Sequence, residues 1–149
     1  MIVQTLTDSF KQQLLLGVHD FRVGGDTFKL ALYTAEADLG AGTTAYTSTG
    51  EVTGGGYSAG GAVLVSEGVS VQNGTAFVTF TNVVFPGATF TTRGALIYNT
   101  TPSANGPDGA LTNPSVAVLD FGSDKTVTSN SFTIQFPADT PAAAIIRIS

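Results

Sequence analysis

His19 is the only histidine in the chain, and imidazole is the side chain best suited to carry protons or ligate metal near neutral pH. A catalytic histidine needs a positioned nucleophile and a group that orients the ring. A metal centre needs several His, Cys or carboxylate ligands together. The chain around His19 offers only Asp20. His19 directly follows a stretch with helical periodicity, so it reads as a capping or packing residue at a helix C-terminus, where the backbone dipole favours positive charge. Glu36, Asp38, Glu51 and Glu67 are the carboxylates from which a glycoside hydrolase pair would be drawn. They are spread over loops and strand ends, no aromatic platform flanks them, and Trp is absent. They read as solvated carboxylates that keep a low-charge surface in solution. No Asp-x-Asp-x-Asp-Gly loop is present, which excludes an EF-hand calcium site. Asp120 lies within an apolar run, where a carboxylate needs partners; backbone amides and Lys125 are the candidates.

The run Gly54-Gly55-Gly56-Tyr57-Ser58-Ala59-Gly60-Gly61 has the glycine density of a phosphate cradle. It lacks the Lys-Ser/Thr that completes a P-loop, and no helical pattern follows. It reads as a loop or bulge where a second backbone comes close. Tyr33, Tyr46, Tyr57 and Tyr98 could stack on a sugar, but they are scattered over different elements, and packing explains them equally well. No nucleophile, base and oxyanion donors come together. The sequence therefore assigns no catalytic, cofactor-binding or metal-binding residue, and the expected protein is not an enzyme.

The elements that carry these residues are constrained by composition. Only 11% of the 149 residues are charged, against a typical ~25%, and the mean hydropathy is +0.24. Disorder needs the opposite balance. Eighteen glycines and 22 threonines favour strands and turns over helices. The net charge is −5, and the basic residues Lys11, Arg22, Lys29, Arg93, Lys125 and Arg147 stand singly. Without clustered cations, nucleic acid and anionic membranes are excluded as main partners. There is no cysteine, hence no disulfide, zinc ribbon or thiolate chemistry. The N-terminus has no cationic n-region and Leu14–Leu16 is too short a burst for a signal, so a soluble chain without a cleavable export signal is expected. Lys and Glu are depleted at protein interfaces, and their scarcity here points to an outer face that meets other protein chains.

One helix is predicted, Leu6–Val18, with Thr7 or Asp8 as N-cap and Gly17 as the C′ residue. Leu6, Phe10, Leu14 and Val18 recur along one face. Strands are predicted at Thr27–Thr34, Ala62–Ser66, Val69–Gln72, Ala88–Asn99, Ser115–Phe121, Ser131–Phe136 and Ala143–Ile148, with a further short one within Ala45–Val52. Asn73-Gly74 is a type I′ hairpin turn that sets Val71 opposite Ala76 and Val69 opposite Val78. Gly122-Ser123-Asp124-Lys125 reads as another turn, and Thr100–Pro114, with three prolines, as a surface loop. Ser115–Phe121 and Ala142–Ile148 are apolar on both faces and must be central strands or lie under another chain. The expected fold is all-β, a β-sandwich or jelly roll of about eight strands with one short N-terminal helix. It forms a single domain, 1–149, in which residues 1–25 are a helical arm joined through Gly24-Gly25 to a sandwich of residues 26–149, the arm reaching a neighbouring subunit or, as the alternative, packing across the end of its own sandwich.

Several segments carry a resemblance. They are Phe10–Phe21, Asp26–Tyr33, Glu51-Val52 with Gly56–Gly61, Ala88–Asn99, Val118–Lys125 and Phe132–Pro137. On these the chain resembles small virion structural proteins of tailed bacteriophages, and its size and β character are similar to capsid cement or decoration proteins. The resemblance implies a protein made in the host cytoplasm and carried on the virion capsid surface. It further implies self-association as a dimer or trimer, and binding to the outer face of the major capsid protein shell. A phage tail, baseplate or receptor-binding module is the alternative within that resemblance. A carbohydrate-binding β-sandwich is disfavoured by the absence of Trp.

Overall fold

Thr7 begins the helix. In a computed structural model describing all of residues 1–149, its hydroxyl accepts from the Phe10 amide and the helix α1 runs Asp8–Leu15. Gly17 follows with φ +71°, the Gly17 amide donates to the Leu14 carbonyl, and the Val18 amide donates to the Gln13 carbonyl. That is the Schellman arrangement, which satisfies carbonyls the helix leaves open. The helix is shorter than predicted because Leu6 belongs with Thr5 to a two-residue strand, β1.

The remaining strands are β2 (Phe28–Tyr33), β3 (Ala62–Val63), β4 (Ser66–Gln72), β5 (Thr75–Phe80), β6 (Val83–Asn99), β7 (Ser115–Ile134) and β8 (Ile146–Ile148). They form antiparallel sheets, a five-stranded one in the order β1-β7-β6-β2-β3 and a three-stranded one in the order β4-β5-β8. The chain is thus mostly β with one short helix, as its alternation and turn residues require. The segment 45–52 makes only isolated bridges, Ala45 to Pro114 and Glu51 to Tyr33. Only Ile146–Ile148 of the predicted last strand is extended, because a turn closes from the Ala143 and Ala144 amides onto the Thr140 carbonyl.

The β4–β5 hairpin follows the predicted register, with Val71 opposite Ala76 and Val69 opposite Val78. Asn73 and Gly74 have φ of 51° and 77°, as a type I′ turn demands. A Cβ on Gly74 would meet nothing, so backbone strain alone resists a substitution there. Gly74→Val is expected to cost about 1–3 kcal/mol, read from the shift of the urea midpoint at constant slope.

The Gly122–Lys125 turn is corrected. β7 runs straight through it. Between the pairs Gly94–Asp120 and Thr92–Lys125, β6 advances two residues while β7 advances five. The excess bulges outward. Arg93 opposite the bulge holds it, with Nε 3.3 Å from Asp120 and Nη1 3.9 Å from Asp124. A bulge and a turn draw on the same residue types, and what separates them is whether the flanking strand pairs onward with the same neighbour.

Both faces of the large sheet are covered by the chain itself, which accounts for Ser115–Phe121 being apolar on both sides. Ala142–Ile148 is corrected, because β8 is neither central nor covered but an edge strand of the small sheet with Ile148 54% exposed. Leu30, Leu32, Ala95, Ile97 and Val116 face one core with Phe10, Phe21, Phe28 and Phe80. Ala31, Tyr33, Leu96, Tyr98 and Val118 face a second, smaller core with Ile2, Ala37 and Leu39. The N-terminal segment belongs to these cores. Phe10 is fully buried, Phe21 stacks on Phe28 at 4.4 Å and 7°, and the Thr7 amide donates to Val116 of β7. Residues 1–25, expected as an arm, are woven into the chain's own sheets.

Candidate functional site

Two polar clusters gather the residues with chemical potential. The first surrounds Glu51, and all four tyrosines of the chain converge there. Glu51 Oε1 accepts from the Tyr57 hydroxyl at 2.6 Å and the Gly60 amide at 2.7 Å, and Oε2 accepts from the Tyr46 hydroxyl at 2.7 Å. The Tyr57 oxygen in turn accepts from the Leu32 amide of β2 at 2.9 Å. Tyr98 donates to the Gly60 carbonyl at 2.7 Å, Tyr33 donates to the Thr47 carbonyl at 2.6 Å, and Tyr46 stacks on Tyr98 at 4.9 Å. Burial, followed by the carboxylate of Glu51, pushes the hydroxyls up: Tyr98 and Tyr46 to about 12, Tyr33 and Tyr57 higher still.

The glycines make this approach possible. A Cβ on Gly61, at φ +76°, would overlap the Leu30 carbonyl of β2, so only glycine lets the loop lie flat on the sheet. Tyr33 is fully buried and Tyr98 is 3% exposed. Tyr46 and Tyr57 are half-buried, and with every hydroxyl engaged the four tyrosines fasten the excursion 34–61 to β2 and β6.

The second cluster surrounds His19. Asn99 Nδ2 donates to Asp26 Oδ2 at 2.8 Å and lies 3.0 Å from His19 Nδ1. Because an amide nitrogen can only donate, Nδ1 is the acceptor. The proton therefore sits on Nε2, which donates to Gln13 Oε1 at 2.9 Å. Asp26 also accepts from the Ser103 hydroxyl at 2.6 Å and the Asp20 amide at 2.9 Å. Burial lowers the His19 pKa to about 4, against the opposing pull of Asp26. The ring is thus neutral and held at both nitrogens, and it joins the helix end to the strand end of β6. His19 is a packing residue, but it sits three residues beyond the helix C-cap Leu16, with its ring centroid 5.1 Å from that of Phe10. Gln13, Asp26, Asn99 and Ser103 were not singled out in the sequence, and His19 and Asn99 stand 80 positions apart.

Glu36, Asp38 and Glu67 are exposed. Asp38 meets the N-terminal ammonium at 3.5 Å. Asp120 accepts from the Gly122 amide at 2.9 Å and from Arg93, which hold its carboxyl below the usual range. Lys125, the other candidate, instead donates to the Ser123 hydroxyl at 3.0 Å.

Part of the surface is apolar. Beside His19 a groove of about 330 Å³ is lined by Leu14, Phe21, Val69, Val78, Ile146 and Ile148. Val69, Val71 and Ile148 extend the same face of the small sheet into solvent, with Val71 75% exposed. A second groove, about 350 Å³, lies along β7 beside Phe121, Phe132 and Ile134. No protein-family model, curated protein or solved structure matches this chain. No helix is long and apolar enough to cross a membrane. Function therefore rests on the geometry and on the resemblance carried by the sequence.

Proposed function

We propose that the chain is a non-enzymatic virion structural protein of the capsid cement or decoration type, which binds the outer face of a phage's major capsid shell and reinforces it. One observation supports this reading above the others. The groups able to do chemistry, Glu51, His19, Asp26 and the tyrosines, are bonded to one another and hold loops in place, while the exposed surface carries aliphatic side chains such as Val23, Val69, Val71 and Ile148. Such a surface suits burial against protein. A protein that binds only the assembled shell stabilises that state by mass action.

The test uses virions with a label fused after Ser149, an exposed position, and virions lacking the protein. Electron microscopy is expected to place the label on the head. Heads without the protein are expected to release DNA at a lower temperature. A label confined to the tail would support the tail or receptor-binding alternative, and heads equally robust without the protein would remove the reinforcing role.

A further inference from the structure

One edge of the long strand β7 is paired along its length and the other only in part. β6 pairs with it from Ser115 to Ile134, but β1 covers its other edge only at Ala117 and Val118. Natural edges of this kind are blunted by charge, proline, bulges or a covering segment. β7 uses such devices up to a point. The Gln4 side chain accepts from the Asp120 amide, the Arg93-clamped bulge follows, and Ser129 turns to φ 48°. Beyond Ser129 the devices stop until Pro137. The window Asn130-Ser131-Phe132-Thr133-Ile134 contains no charge, proline or glycine, and no charged residue occurs from Thr126 to Ala138.

The window also has an orientation. Ser131 has no opposite residue in β6, which bulges there between Phe85 and Ala88, and its amide donates to the side chain of the preceding Asn130 at 2.8 Å, a local cover that a neighbouring strand displaces. By the two-residue period of a strand, Ser131 and Thr133 turn their backbone groups to the open edge. Their side chains are exposed, while Phe132 is half-buried and Ile134 buried on the core side. Phe132 and Ile134 line the groove of about 350 Å³ that opens beside this edge.

We propose that this edge is a homodimer contact, in which Asn130–Ile134 of two copies pair antiparallel about a two-fold axis at Phe132. The window is self-complementary in that register. Ser131 of one copy stands opposite Thr133 of the other, so both outward amides and carbonyls find partners and the two hydroxyls lie side by side, a favourable cross-strand pair. The two Phe132 rings meet on the core face and close the adjoining grooves. Within the paired window no charges face each other, and Lys125, the one charged residue lining the groove, lies outside it. The pairing joins two five-stranded sheets into one continuous sheet and gives the isologous contact that a two-fold dimer requires. The inference names the self-contact that the resemblance leaves as dimer or trimer, and it does not depend on what the assembled protein binds.

Sedimentation equilibrium of the purified full chain is expected to report a dimer. The double variant Ser131→Lys/Thr133→Lys sets like charges opposite each other twice across the axis, and dimerisation is expected to weaken by at least about ten-fold. Ser131→Glu/Thr133→Glu is expected to do the same. Mixing the two variants is expected to restore a dimer of mixed composition. Both positions are exposed, so thermal melts should stay within a few degrees of the parent and separate a lost contact from a lost fold. A parent chain that is monomeric at all attainable concentrations would overturn the proposal. So would a trimer, charge variants that associate as the parent does, or variants that fail to recombine when mixed. Shell binding is read separately, so a failed shell assay with an intact, charge-switchable dimer would remove only the cement reading.

Discussion

Deletion of residues 1–25 is expected to abolish folding. The segment supplies Phe10, Val18 and Phe21 to the interior, each buried, and Ile2 to the smaller core on the opposite face of the sheet. It also provides the only strand that covers the start of β7 and the helix that packs over Val116. Removing it would expose Phe28 and Phe80, fully buried rings that pack against Phe21, and would leave Asn99 and Asp26 without the His19 connection. A graded version is Phe10→Ala. Truncating a fully buried Phe costs about 3–5 kcal/mol, a large share of the ~5–15 kcal/mol that holds a domain together. The urea midpoint of Phe10→Ala should fall accordingly, and the deletion variant should lack the dispersed amide spectrum of a folded β protein. A truncated chain that melts cooperatively near the parent temperature would show that the segment is an appendage.

The arm expectation failed for an instructive reason. Gly24-Gly25 has the composition of a flexible joint, yet a Cβ on Gly25 would run into Asp20, so that glycine closes a tight loop in which the Asp26 amide donates to the Asp20 carbonyl at 2.9 Å. Composition alone does not distinguish a hinge from a tight corner. The hairpin at Asn73-Gly74 was legible down to its register because a two-residue turn fixes its own pairing. The helix cap was legible for a similar reason, since Thr7, Phe10, Gly17 and Val18 act within a few residues of each other. The clusters around Glu51 and His19 were not. Their members come from loops and strands brought together by long-range pairing, such as Lys29 with Tyr98 and Leu32 with Ala95, which no local spacing encodes. The chain's chemistry is sparse along the sequence. Its concentration into two closed networks follows only from the fold.

The Glu51 network should therefore behave as one unit, and Glu51→Ala is the second large effect. The substitution removes the acceptor for the Tyr57 and Tyr46 hydroxyls and for the Gly60 amide at once. A donor left unsatisfied in a buried setting costs about 1–3 kcal/mol. Glu51 and Tyr46 are half-buried and regain some water, which places the expected loss at about 3 kcal/mol. Glu51→Gln keeps one acceptor oxygen and should lose about 1 kcal/mol. Hydrogen exchange should locate the damage, with amides between Thr34 and Gly61 losing protection while those of the β4–β5 hairpin keep theirs. The same network sets the alkaline limit of stability. Tyr98 is raised from about 10 to about 12, chiefly by burial, so the folded chain resists losing a proton that the unfolded chain gives up. Its contribution is fully present below pH 10 and is lost as pH rises through about 12. Alkaline unfolding of the parent should begin above pH 10, and Glu51→Ala should unfold at lower pH because it enters that window already weakened. If Glu51→Ala matched the parent in urea and in the alkaline titration, the tyrosines would be holding the loop by packing alone, with no contribution from the carboxylate at their centre.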